Sequence, residues 1–313
     1  MKTIQLSYPH QIEKASTPAT VAAIGFFDGI HRGHQKVIKT AADLAKRQNL
    51  TSAVITFHPH PSVVLKKDKQ HVSYLTPMEE KKHILSQLGI DRLYVITFNK
   101  QLSNLEPQAF VDQFLIGLHI KHLVAGFDFS YGHKGQGSME TISEHARGEF
   151  SFTKVEKVRD KQEKISSTLI RQHLLSGDVE EANHLLGRPL TIKGEVVEGD
   201  KRGRTIGFPT ANLSLSENYF LPKPGVYAVT VGYQGRLLKG MANLGYKPTF
   251  NEEVNQPALE VHLFDFQEDL YGSELTVEWR MFIREEFKFD GVDSLVSQLT
   301  RDEQKIRTYL QEI

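Results

Sequence analysis

Apolar and polar positions follow two different rhythms along the chain. Up to about residue 160, short apolar runs are separated by stretches of helical period. The runs are VAAIGFF (21–27), TSAVITF (51–57), RLYVITF (92–98) and KHLVAGF (121–127). Between them, HQKVIKTAADLAKRQ (34–48) puts Val37, Ile38, Ala41, Leu44 and Ala45 on one helical face, and PQAFVDQFLIGL (107–118) and a segment near 138–147 read as helices. Thr76-Pro77-Met78-Glu79 reads as a capping box with proline at the first helical position, opening a helix to Leu88. SFTKVEKV (151–158) reads as one more strand. Apolar strands alternating with helices predict a parallel sheet with helices on both faces. Such sheets bind ligands at the carboxyl ends of their strands, and the unusual residues lie there: after Gly25, after Phe57 and after Gly126.

The texture changes near Gly187. Helical SSTLIRQHLL and VEEANHLLG precede it; strand-like LTIKGEVVEG, GVYAVTVGY, RLLKGMANLG, PALEVHLFDF and ELTVEWRMFI follow, punctuated by glycine, proline and asparagine. The final GVDSLVSQLTRDEQKIRTYLQEI is helical in period. These runs predict a small antiparallel β-barrel closed by one helix, with the boundary between domains 1–186 and 187–313. The aromatics Tyr227, Phe264, Phe266, Trp279 and Phe282 are expected mostly in the barrel core.

Composition narrows the function. The 313 residues suit two domains of ordinary size. Lys and Arg number 38 against 38 Asp and Glu, so no global basic field draws the chain to nucleic acid or an anionic membrane. There is no cysteine, which excludes disulfides and thiolate metal sites and fits a reducing compartment. No apolar stretch approaches the roughly 20 residues of a membrane span, and MKTIQLSYPHQIEK turns polar too early for a signal peptide. The expectation is a soluble, cytoplasmic protein.

GFFDGIHRGH (25–34) carries the first candidate chemistry. A strand ends in a glycine turn and a helix begins near Gly33, so free N–H groups and a partial positive charge meet whatever sits there. Glycines let a polyphosphate approach the backbone. His31 and His34 lie near the same helix start and suit the α-phosphate of a nucleotide, whose transition state gathers charge. KISSTLIR (164–171) adds Ser166, Ser167 and Thr168 at a helix start, with Arg171 one turn on: an anion cradle. No Walker A pattern is present. Competing readings are a zinc site completed by His58 and His60, solvent-facing histidines, and an ordinary serine N-cap.

The turn at 25–34 followed by KISSTLIR resembles the HxGH nucleotidylyltransferase superfamily. TFHPHPSVVL (56–65) and GFDFSYGHKGQG (126–137) make the first half similar to the adenylyltransferase module of bacterial bifunctional riboflavin kinase/FAD synthetases. In the second half GDKRGRTIGFPTANL (199–213), GVYAV (225–229), NLGYKPTF (243–250), LEVHLFDF (259–266) and FIREEFKFDGVDSLVSQLTRD (282–302) resemble the same family in order. The resemblance implies a Rossmann-like nucleotidylyltransferase domain and a barrel kinase. The kinase would phosphorylate riboflavin to FMN with ATP, giving ADP; the first module would move AMP from a second ATP to FMN, giving FAD and pyrophosphate. Mg²⁺ would accompany ATP, and the oligomeric state is left open.

By motif, His31 and His34 would stabilise the transition state, with Gly25, Phe26, Asp28, Gly29 and Gly33 shaping the ATP pocket. Ser167, Thr168 and Arg171 would hold phosphates, and Phe57, His58, Pro59, Asp128 and Phe129 would line the flavin site. Asp128 stands where the family commonly has asparagine, and Lys247 where it commonly has arginine. In RGRTIGFPTANL (202–213), Gly203 would serve ATP. Thr210 and Asn212, two apart, would share one face of a strand and offer hard oxygens suited to Mg²⁺–ATP, against the plainer reading of a polar turn after proline. Glu260 alternates with Leu259 and Val261 and shares its face with His262; the family makes it the base, where a lone strand glutamate would ordinarily face solvent. Two rivals stay open. One is a kinase whose first module is weak or uses another adenylyl acceptor. The other is a flavin-sensing binder that does not turn over.

Overall fold

The computed structural model describes residues 1–65, 72–199, 202–247 and 256–312. The chain divides into two compact units, Met1–Ser167 and Thr168–Ile313.

The first unit is built on a parallel sheet of β1 (Lys2–Leu6), β2 (Thr20–Ile24), β3 (Thr51–His58), β4 (Arg92–Thr97), β5 (Ile120–Gly126) and an edge strand Ser151–Val155. Their order is β1-β4-β3-β2-β5-edge. β2 is buried at every position, so its apolar run cannot alternate with polar residues. Val21 and Ala23 face one layer, with Val37, Ile38 and Ala41 of helix α1 (Arg32–Gln48) and Ile84 and Leu85 of helix Met78–Gln87. Ala22 and Ile24 face the other, with Phe110, Val111, Phe114 and Leu115. Helices thus cover both faces, as expected. From β2 through β3 to β4 the chain moves outward in one direction; β5 then returns to the free side of β2. The order reverses between β2 and β5, where open α/β sheets place their ligands.

Two local expectations change, and one strand carries no sequence signal. The helix expected over 107–118 is α-helical only as Pro107–Val111 and continues as the π-turn Asp112–Ile116. The helix begins at Met78 with Pro77, not Thr76, as N-cap, and the Thr76 N–H donates to Asp28 Oδ1 at 3.1 Å. β1 escapes sequence patterning because, of its residues, Leu6 alone is buried.

In the second unit six antiparallel strands close a barrel in the order Leu190–Val197, Ala211–Leu215, Gln256–Leu263, Arg236–Lys247, Gly225–Tyr233 and Glu274–Arg284. The division between the units falls a pair of helices earlier than the expected 186/187 boundary. The helix Ser167–Ser176, from Thr168 on, and Val179–Leu186 go with the barrel because Asn183 accepts from the Leu190 N–H at 2.7 Å and donates to Trp279 O at 2.8 Å, while the Lys223 N–H donates to Leu174 O. Tyr227 and Trp279 are fully buried edge to face, with ring centroids 4.7 Å apart. Helix Val292–Tyr309 covers the outer wall, where Ile306 and Leu310 meet Phe208, Ala228, Met241 and Phe264. Arg284 Nε donates to Asp302 Oδ2 at 2.8 Å and ties that helix down. Phe266 and Phe282 are only half-buried and lie outside the core.

Candidate active sites

In the first unit the turn after β2 is strained and tightly held. Phe27 (φ 52°) and Ile30 (φ 40°) occupy the left-handed region that side chains disfavour, and Gly29 lies there at φ 88°. Burial of Phe27 and Ile30 fixes them. Gly25 has no room for a side chain, since a Cβ would lie 2.9 Å from the Phe27 ring. Asp28 is buried; its carboxylate accepts from Thr76 and its carbonyl accepts from Ser167 Oγ at 2.8 Å.

α1 begins one residue earlier than expected, and His31 is its N-cap. His31 Nδ1 accepts from the His34 N–H at 3.2 Å, which places the proton of the neutral ring on Nε2. The two imidazoles stack, with centroids 3.6 Å apart and planes 17° apart, and the Phe27 ring meets His34 edge-on at 5.3 Å. Burial, then the nearby Lys164 charge, lowers the His31 pKa to about 4. Burial, His31, Lys81 and Lys164 together hold His34 well below the ordinary histidine range. Both rings are therefore neutral donors near pH 7. Stacked rings cannot turn their lone pairs onto one ion, and among the described residues no group of three or more His, Cys, Asp or Glu is arranged to hold a metal. The zinc reading fails on that geometry. His34 Nδ1 is buried with no hydrogen-bond partner.

At the tip of β5, Asp128 pairs with Lys164, whose ammonium also lies 4.7 Å from the centroid of the Phe127 ring. Phe57 and Phe129 pack against the same apolar layer of the sheet. Phe57 faces Phe110 at 6.4 Å and Phe129 stacks on Tyr131 at 5.8 Å. His58 lies 6.2 Å from the Tyr74 ring and is joined to Pro59 by a cis peptide. Thr168 and Arg171 fall in the second compact unit, where the Arg171 guanidinium lies over the Phe220 ring at 5.4 Å.

Sequence reasoning missed Lys81. It sits on the buried face of helix Met78–Gln87 beside Ile84 and Leu85, and its Nζ donates to Phe26 O at 2.7 Å. The signal was available: at helical spacing Met78, Lys81, Leu85 and Leu88 share one stripe, and lysine is its single charge.

In the second unit Glu260 stands between Asn212 and Asn243, its partners on the two neighbouring strands. Leu259 and Val261 are buried inward, so Glu260 and His262 lie on the outer wall, over a cleft rather than inside the barrel. A cavity of about 270 Å³ there is lined by Thr210, Asn243, Glu260, His262, Glu286 and Phe287. A second, of about 520 Å³, is lined by Val196, Arg204, Thr210, Phe266, Asp269 and Tyr271. Thr210 borders both. His262 Nδ1 donates to Pro209 O at 2.7 Å and braces the Thr210 segment. The Asn212 side chain packs on Gly199, where a Cβ would lie 2.1 Å from Nδ2. Gly203 is as constrained, since a Cβ would lie 2.2 Å from Phe208 O. Glu286, in a run that reads as surface charge, accepts from Asn243 Nδ2 at 2.8 Å and was not foreseen. The motif tail 248–250 lies outside the described residues, as does the side chain of Lys247.

Residues 13–169 match the family model described as FAD synthetase, and residues 186–310 match that described as riboflavin kinase. The bifunctional riboflavin kinase/FMN adenylyltransferase of Bacillus subtilis (strain 168) is 49% identical over 310 residues, covering 99% of this chain and 98% of that one. The chain belongs to the bifunctional riboflavin kinase/FMN adenylyltransferase family. Its Escherichia coli (strain K12) relative is 37% identical over 304 residues, 96% of each chain. A crystal structure from Streptococcus pneumoniae, of a protein described as a macrolide-efflux protein, matches with TM-score 0.89 and 36% identity over 98% of this chain and 99% of that one. No helix among the described residues of the present family member is long and apolar enough to cross a membrane.

Proposed function

We propose that the turn at 25–34 binds the ATP whose adenylyl group is moved to FMN, and that the cleft under Glu260 binds the riboflavin that is phosphorylated. The chain is a riboflavin kinase and an FMN adenylyltransferase. The observation that supports the first assignment is the stacked, neutral His31–His34 pair at the start of α1, beside the sheet's topological switch point. His31 Nε2–H and the His34 ring donate to the α-phosphate as charge builds there, and the helix N-terminus adds its dipole. Gly25, Phe26, Asp28, Gly29 and Gly33 keep the approach open. Ser167 Oγ donates a hydrogen bond to the Asp28 carbonyl and so ties KISSTLIR to the turn; by the motif, Thr168 and Arg171, which follow it in the same helix, hold phosphates. For that reason the functional division stays at 186/187, although the compact units divide earlier. Phe57, His58, Pro59 and Phe129 line the flavin side. Asp128 acts there through Lys164, to which its carboxylate is already paired.

In the second unit Thr210 stands where the two cavities meet, so a phosphoryl donor in the larger one would face an alcohol in the smaller one. Glu260 accepts the ribityl hydroxyl proton. The Thr210 hydroxyl and the Asn212 amide oxygen fit Mg²⁺ as hard ligands, and the ion would neutralise phosphate charge when bound. With 38 Lys and Arg against 38 Asp and Glu the chain has no net field to draw nucleic acid or an anionic membrane, and we place the two reactions in the cytoplasm.

Two outcomes test these assignments. Both imidazoles are neutral above their lowered pKa values, so kcat/KM for ATP in FAD formation should show no step near 6.5, the ordinary histidine value; an acid limb centred there would contradict the tautomer assignment. Gly203→Ala should stop riboflavin phosphorylation, because its Cβ meets backbone that cannot yield, while FAD formation from supplied FMN continues. Chromatography of the flavins reads both.

A further inference from the structure

The turn at 25–34 rests on a buried cation that no step above uses. Lys81 is 2% exposed. Its Nζ donates to Phe26 O at 2.7 Å and lies 3.4 Å from Thr56 Oγ1, which itself donates to Phe26 O at 3.0 Å. Both lone pairs of the Phe26 carbonyl are thus engaged from beneath the turn. The ammonium also stands 4.9 Å from the centroid of the Phe26 ring. Burying a charge against neutral oxygens is costly, and a neutral donor would satisfy the same carbonyl.

We propose that Lys81 is a positioning residue for adenylyl transfer: its ammonium fixes the Phe26 carbonyl, and with it the strained turn that sets His31 and His34, and supplies a fixed positive charge beneath the triphosphate. This rests on the reading that the turn binds ATP. The charged and titratable groups facing Lys81 are Asp28 on the turn and His34 on α1. Lys164, held by Asp128, acts on the His31 and His34 imidazoles, and Glu80 precedes Lys81 on its own helix. Burial lowers the Lys81 pKa to about 8 against the opposing pull of Asp28. A lowered lysine keeps its charge below that pH and loses it above. The imidazoles are already neutral far below this range and add nothing to it.

The test is kcat/KM for ATP in FAD formation from supplied FMN, from about pH 6.5 to 9.5 around the lowered lysine value, for the full chain and for Lys81→Arg and Lys81→Met. Riboflavin phosphorylation by each chain serves as the folding control. The wild type should fall as pH rises through about 8. Lys81→Arg should keep FAD formation and lose that fall, because guanidinium stays charged. Lys81→Met should lose about 10²-fold below the fall, the scale of a small misplacement of reacting groups, and the gap to the wild type should narrow above it. A wild type with no alkaline fall, an arginine variant with the same fall, or a methionine variant as active as wild type would each overturn the proposal. His34→Ala separates the two levels. If it keeps FAD formation, the reading of the turn itself fails. If it abolishes FAD while the Lys81 variants behave as wild type, the role of Lys81 alone fails.

Discussion

Glu260→Ala should abolish FMN formation and leave FAD formation from supplied FMN intact. The carboxylate stands on the outer wall of the barrel between Asn212 and Asn243, over the cavity it shares with Thr210. Loss of a positioned base typically lowers rate about 10²–10⁴-fold, so kcat for riboflavin phosphorylation should fall within that range. Glu260 is only half-buried and flanked by polar partners, so the barrel should fold without it. Glu286 is the carboxylate that could take over, but its Oε1 is engaged by Asn243. Unchanged kinase turnover in Glu260→Ala would remove the base from Glu260, and a parallel loss of FAD formation would point to unfolding instead.

Replacing His31 and His34 by alanine together should give the opposite phenotype: FMN accumulates from riboflavin and FAD does not appear. Removing one preorganised donor to a developing oxyanion typically costs about 10²–10³-fold. The two rings touch and one caps the helix that carries the other, so the double loss should be less than the product of the singles. The singles should also differ in stability. His31→Ala removes the acceptor of the His34 N–H at the start of α1, a cap worth about 1 kcal/mol. His34→Ala leaves that bond in place and relieves a buried nitrogen without a partner. It is the cleaner probe of chemistry. Normal FAD output from the double variant would contradict the assignment.

The sheet was legible because each of β2 to β5 carries a run of buried apolar residues, and the barrel because short strand-like runs, Leu190–Val197 clearly alternating, follow one another between glycine and proline breaks. β1 was not, since an edge strand that buries Leu6 alone leaves no pattern. Thr76 shows why a local signature can mislead: the capping pattern is intact, but its N–H is recruited by Asp28, forty-eight residues away. The compact units divide before the 186/187 boundary for a similar reason. Asn183 bonds to the barrel strands at Leu190 and Trp279, and no property of VEEANHLL announces that. Of the sites, the motifs named the residues but not their states. The stacking and neutrality of His31 and His34, the pairing of Asp128 with Lys164, and the position of Glu260 on the outer wall come from tertiary packing.

The most direct measurement is a crystal structure of the full chain with a non-hydrolysable ATP analogue. The α-phosphate should lie within hydrogen-bond reach of His31 Nε2, at the start of α1. A triphosphate bound elsewhere, with that turn empty, would contradict the account.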